Sequence, residues 1–157
     1  MKAGRVIALL ALAPLLLGAC SLSQPPAAAP VNAGDCPPEA AAAFLAELNA
    51  VQADFERLAA EAEAAPAVGL EPFTRDLEAL RLAAEELPTP DCGLQVQAAL
   101  AAYTRTAAQV YFRKLVETLP VTPQSDSPSL QELQDLAASQ WDYYETLKSE
   151  FVEAYEL

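Results

Sequence analysis

The 157-residue chain contains no histidine. That removes Ser-His-Asp and Cys-His nucleophile machinery, His-ligated zinc and haem, and the Glu-x-x-His sites of di-iron bundles. It also removes the commonest general base near neutral pH. Isoleucine occurs once, at Ile7, and valine and threonine are scattered rather than alternating, so strand signals are slight. The few glycines form no phosphate-cradling loop, no Asp-x-Asp-x-Asp-Gly run suggests calcium, and no Cys-x-x-Cys is present. No metal and no cofactor is expected. Basic residues are scarce too, 9 against 22 acidic, for a formal charge of −13. That balance excludes nucleic acid as a partner, since phosphates demand Lys and Arg, and excludes electrostatic adhesion to anionic lipid. The acidity reads first as a solvated, self-repelling surface and second as a match for a basic partner.

What is present at the N-terminus is more specific. Lys2 and Arg5 precede an apolar run from Val6 to Leu17, which ends in Leu17-Gly18-Ala19-Cys20. A basic start, a short apolar core and small residues describe a secretory signal. The run is shorter than the ~20 residues a membrane span needs. Its ending resembles the lipobox of bacterial lipoproteins. The resemblance implies cleavage before Cys20, acylation of the Cys20 thiol (palmitate or a similar chain) and acylation of the new N-terminus. It implies a cell-envelope protein attached to the membrane through acyl chains on Cys20, facing away from the cytoplasm. Ser21, where some such proteins carry the inner-membrane retention Asp, leans the reading toward the outer membrane. Two or more acyl chains suffice for stable anchoring.

Residues 1–19 are therefore expected to be a signal peptide, 20–34 a lipidated tether and 35–157 a helical domain. The tether, uncharged and containing Gln24-Pro25-Pro26-Ala27-Ala28-Ala29-Pro30, has too little apolar surface to order itself.

Much of the apolar content of the domain is alanine, which favours helices but buries little area. The larger residues recur at helical spacing. Phe44, Leu48, Val51, Phe55, Leu58 and Ala62 form the seam of a first helix, opened at Asp35-Cys36-Pro37-Pro38 and ended by Pro66. Leu70, Phe73, Leu77, Leu80, Ala84 and Leu87 form a second, from Glu71-Pro72 to the break at Leu87-Pro88-Thr89-Pro90. A third opens with Asp91-Cys92 and runs to Leu119, burying Val96, Leu100, Tyr103, Ala107, Val110 and Leu115. The fourth starts at Ser127-Pro128 or at the capping box Ser129-Leu130-Gln131-Glu132, with Leu133, Ala137, Tyr144, Leu147, Phe151 and Ala154 inward and Trp141 and Tyr155 widening the face. Sustained seams joined by short loops predict an all-α, antiparallel up-down-up-down four-helix bundle. The short second helix is compensated by its proline-rich exit, extended at ~3 Å per residue, so the third helix starts level with the first.

That topology places Cys36 and Cys92 at one end, each just after an Asp expected to cap its helix. Two spare cysteines in an exported chain are expected to pair, a redox pair being the competing reading. Glu61, Glu63 and Glu71 cluster near the first turn, and Glu85, Glu86 and Asp91 near the second. A catalytic carboxylate pair is conceivable there, though acids crowd any chain of this charge. Tyr143 falls off the inward stripe and, with Asp142 and Glu145, is expected to form an exposed interaction flank on helix four.

The function expected is non-enzymatic: a binding or envelope-interaction module recruiting an envelope protein or small solute. The alternative is a carboxylate-dependent hydrolase acting on the cell wall, and a passive spacer is a third possibility. With the Cys36/Cys92 end toward the membrane, recognition is expected on the distal loops, 66–71 and 120–127, with the helix-four flank as the other candidate.

Overall fold

The computed structural model describes residues 36–120 and 127–157. Cys20 and the signal and tether assignments lie outside the described residues, as does most of the distal loop before the fourth helix.

Four helices follow one another, α1 (Pro38–Ala64), α2 (Glu71–Glu85), α3 (Leu94–Val116) and α4 (Leu130–Tyr155). They form an antiparallel up-down-up-down bundle, with no strand among the described residues. No helix among them is long and apolar enough to cross a membrane. At 1.5 Å per residue, α1 with its 27 residues is ~40 Å long, and α2 with 15 is little more than half that. Leu87 to Pro90 makes up the difference as extended chain. Cys36 and Cys92 meet at the resulting common end and are disulfide-bonded, with Cα atoms 5.8 Å apart. That separation is ordinary for a disulfide.

Asp91 does not cap α3, whose N-cap is Gly93. Pro37 occupies the N-cap of α1 without a side-chain bond, and Asp35 lies outside the described residues. Prolines have no N–H, so part of the donor set that a capping carboxylate would satisfy is missing. Asp91 instead begins a tight 3-10 turn behind Pro90, in which the Gly93 N–H donates to the Pro90 carbonyl at 2.8 Å. The third helix proper is correspondingly shorter than expected at both ends. By contrast, α4 begins at the capping box. The Glu132 N–H donates to Ser129 Oγ at 3.2 Å, and the Ser129 N–H donates to Glu132 Oε2 at 2.7 Å. The Ser129 N–H and then the Ser129 hydroxyl, both donating to Glu132 Oε2, hold that carboxyl below its usual pKa.

The core has two halves. Near the disulfide, Phe44, Leu48, Val96, Leu100, Tyr144, Leu147 and Phe151 are buried together, with Phe44 and Phe151 edge-to-face at 5.6 Å. Toward the other end, Phe55, Leu58, Leu70 and Leu77 pack with Ala107 and Ala108. The third helix is buried on more than one seam, because Ala99, Ala101, Thr104, Thr106 and Ala108 are covered as well. These small side chains let both α2 and α4 approach α3 closely. The pair α1 and α4 stays further apart and meets through long side chains.

The tight turn at Gly93 has a steric reason. A Cβ there would lie 2.6 Å from Phe44 Cε1, inside the packed ring. Replacing Gly93 with alanine is therefore expected to cost about 1–3 kcal/mol by overpacking. Chemical denaturation should show the loss, and Phe44→Leu in the same chain should recover part of it.

Candidate functional site

Close backbone approaches tie α3 to α2 and to α4, whereas α1 and α4 meet only through side chains. The opening between α1, α3 and α4 is a groove of about 350 Å³ in the half of the bundle away from the disulfide. Tyr103, Ala107 and Tyr111 of α3 form its floor, Trp141, Ala137 and Gln134 of α4 one wall, and Glu63 of α1 the other. A second recess, of about 310 Å³, lies at the end of the bundle around Ala62, Leu70 and Thr118. Glu63 and Lys114 line both. Lys114 Nζ donates to Glu63 Oε2, so this pair forms a bar between the two spaces.

The floor is aromatic and well braced. Tyr111 Oη donates to the Ala59 carbonyl at 3.0 Å, tying α3 to α1. Phe55 meets the Tyr103 ring edge-on at 5.8 Å from below, and the Trp141 ring lies 4.9 Å from Tyr103. Burial, aided by the nearby charge of Glu56, pushes the Tyr103 phenol up to about 12. Burial, and then Glu63, raises that of Tyr111. Both therefore stay protonated and neutral at any physiological pH. Lys114 Nζ stands 5.1 Å over the Tyr111 ring.

Closer to the disulfide the seam between α1 and α4 is closed by a polar contact. Tyr144 Oη and Lys148 Nζ both donate to Gln52 Oε1, each at 2.7 Å. Gln52 Nε2 in turn donates to Glu56 Oε1 at 2.9 Å. Burial, followed by the charges of Glu145 and Glu56, raises the Tyr144 pKa.

The carboxylates singled out in the sequence do not converge. Glu61 pairs with Arg57 on the surface of α1. Glu85 is held by Arg105 and Arg81, bridging α3 and α2, and those two guanidiniums lower its pKa. Glu86 and Asp91 are exposed. Hydrolysis by an acid–base or acid–nucleophile couple needs two facing carboxyl groups. The groove lining holds one, Glu63, already engaged by Lys114. Among the described residues no group of three or more Cys, Asp or Glu is placed to hold a metal ion.

Tyr143 is half-buried and packs against the disulfide-proximal core, contrary to the expected exposure. The inward face of α4 is wider than a single stripe, so a residue one step off it still finds cover. Asp142 and Glu145 are exposed as expected. Helical spacing assigns Tyr103 and Trp141 to the core and makes no assignment for Tyr111, and it carries no sign that Tyr103 and Trp141 stop short of full burial.

Fold and groove together define a disulfide-stapled helical bundle with an aromatic lateral groove. In comparison with known proteins, the chain matches no family model, no curated protein and no solved structure.

Proposed function

We propose that this chain is a lipid-anchored, extracytoplasmic binding module, non-enzymatic, that presents the α1/α3/α4 groove to a partner in the cell envelope. The observation that carries the reading is the position of the groove. The chain enters the bundle at Cys36, beside the Cys36–Cys92 bond, and the groove opens in the opposite half. An anchor at Cys20 would thus hold the closed end toward the membrane and turn the groove outward. A lining of aromatics and a few polar groups is the usual composition of a site that takes a small ligand or a side chain. The tether, at ~3 Å per residue when extended, would give the domain a reach of about 40 Å from the bilayer.

Anchoring is tested by Cys20→Ala in the full chain. The expected outcome is loss of the protein from the membrane fraction, as soluble or unprocessed chain. Intact-mass measurement of the wild type should show Cys20 as the first residue and carrying acyl groups. An unmodified Cys20 in the mature protein would contradict the anchor, though not the groove.

A further inference from the structure

Three aromatic rungs run along the seam between α1 and α4, and two of them already hold a cation. At one end Lys114 Nζ lies 5.1 Å over the Tyr111 ring and bonds Glu63. At the other, Lys148 Nζ lies 5.7 Å over the Tyr144 ring and bonds Gln52. The rung between them is the Trp141–Tyr103 pair, which lines the groove and has no cation over it among the described residues. Trp is the strongest of the aromatic faces for a cation, and arginine is the cation that most often uses it.

The charges of the seam leave room for one more. Three carboxylates border it: Glu63 in the groove lining, Glu56 two turns earlier on the same face of α1 and accepting from Gln52 Nε2 at 2.9 Å, and Glu145 beside Tyr144 on α4. Lys114 and Lys148 supply two positive charges, one short of balance. Neither Glu56 nor Glu145 forms an ion pair among the described residues. Around this local excess the whole chain carries −13, which favours approach of a basic surface at long range.

We infer that the groove takes an arginine side chain from a basic segment of a partner protein, the guanidinium stacking on Trp141 and Tyr103 and facing Glu56. The inference rests on the binding-module reading and names the chemistry of the partner. A planar guanidinium satisfies both requirements of the middle rung, a flat face for the indole and N–H donors for a carboxylate at its edge. A lysine ammonium would supply the charge without the stacking plane. Lys114 sets the competition at the distal side, since it lies over the neighbouring ring and neutralises Glu63.

Trp141 is the only tryptophan in the chain, so its fluorescence reports the middle rung directly. The full chain is titrated with an oligo-arginine peptide, with oligo-citrulline and oligo-glutamate peptides of the same length, and with a peptide of the chain's own Gln24–Pro30 sequence. Saturable change with oligo-arginine alone is expected. Glu56→Gln should weaken it about threefold, and Glu56→Gln with Glu145→Gln about tenfold, the scale of exposed ion pairs. Lys114→Met should tighten binding about threefold by freeing Glu63 and the Tyr111 face. Arg75→Gln makes the same change in net charge on α2, outside the groove lining, and should leave affinity unaltered. Equal tightening by Lys114→Met and Arg75→Gln would reduce the effect to overall charge and overturn the inference. So would equal binding of arginine and citrulline peptides. A response only to the Gln24–Pro30 or glutamate peptide would also overturn it, while leaving the groove a binding site. No response of Trp141 to any peptide would overturn the arginine inference, and with it the groove as a peptide-binding surface.

Discussion

Replacing both Cys36 and Cys92 with alanine, or reducing the bond between them, will remove about 4 kcal/mol from the stability of the bundle. The bond joins residues 56 apart, so cutting it frees a long loop in the unfolded chain. In a domain with the usual 5–15 kcal/mol in hand, that is a large share. The midpoint of thermal unfolding should fall by roughly 10–20 °C. Guanidinium melts with and without reductant measure the difference. Identical melts would mean that the α1 and α3 starts are held together by packing alone. Cys92 also touches the core, so the double alanine variant should lose slightly more than simple reduction does.

The second large effect lies in the other half of the core. Phe55 is fully buried, with Leu58, Leu70 and Leu77 around it and the edge of Tyr103 against its ring. Phe55→Ala should cost about 3–5 kcal/mol, the lost transfer energy plus the cavity left behind. Phe112, on α3 but 59% exposed, provides the contrast: Phe112→Ala should stay within about 0.5 kcal/mol of the parent. Urea melts of the two variants give the comparison. Phe55 also supports the groove from beneath. Its removal should let Tyr103 sink, and the emission of Trp141 should then shift even where the helices remain folded. A small Phe55→Ala penalty would mean that the distal half is loosely packed and the groove poorly defined.

These effects were legible in the sequence to different degrees, and the reason is geometric. Helical spacing shows which residues face inward, so Phe44, Leu48, Phe55 and Leu77 could be assigned to the core without coordinates. The Pro88–Pro90 strap and the length of α2 together placed Cys92 beside Cys36, because chain length along an axis is fixed by rise per residue. Spacing carries no information on the distance between helix axes. That distance is set by side-chain size across each seam, small at Ala99, Ala101 and Ala108, large at Phe44 and Phe151. Nor does spacing show which inward residues stay half-covered, as Tyr103, Tyr111 and Trp141 do in the groove. The expected Asp91 cap gives way for a different reason: behind Pro90 the chain makes a 3-10 turn, and Gly93 rather than Asp91 takes the N-cap of α3.

The placement of recognition in the α1/α3/α4 groove has its most direct test in site-specific photocrosslinking within the native envelope. A photoreactive residue is placed at Gln134 on the groove wall, at Asp142 on the outer flank of α4, or at Leu82 on the exposed side of α2. The expected result is a discrete adduct from position 134, weakened by Trp141→Ala, and none from position 82. Adducts of equal yield from positions 134 and 82, or from position 142 alone, would contradict the groove as the site of recognition.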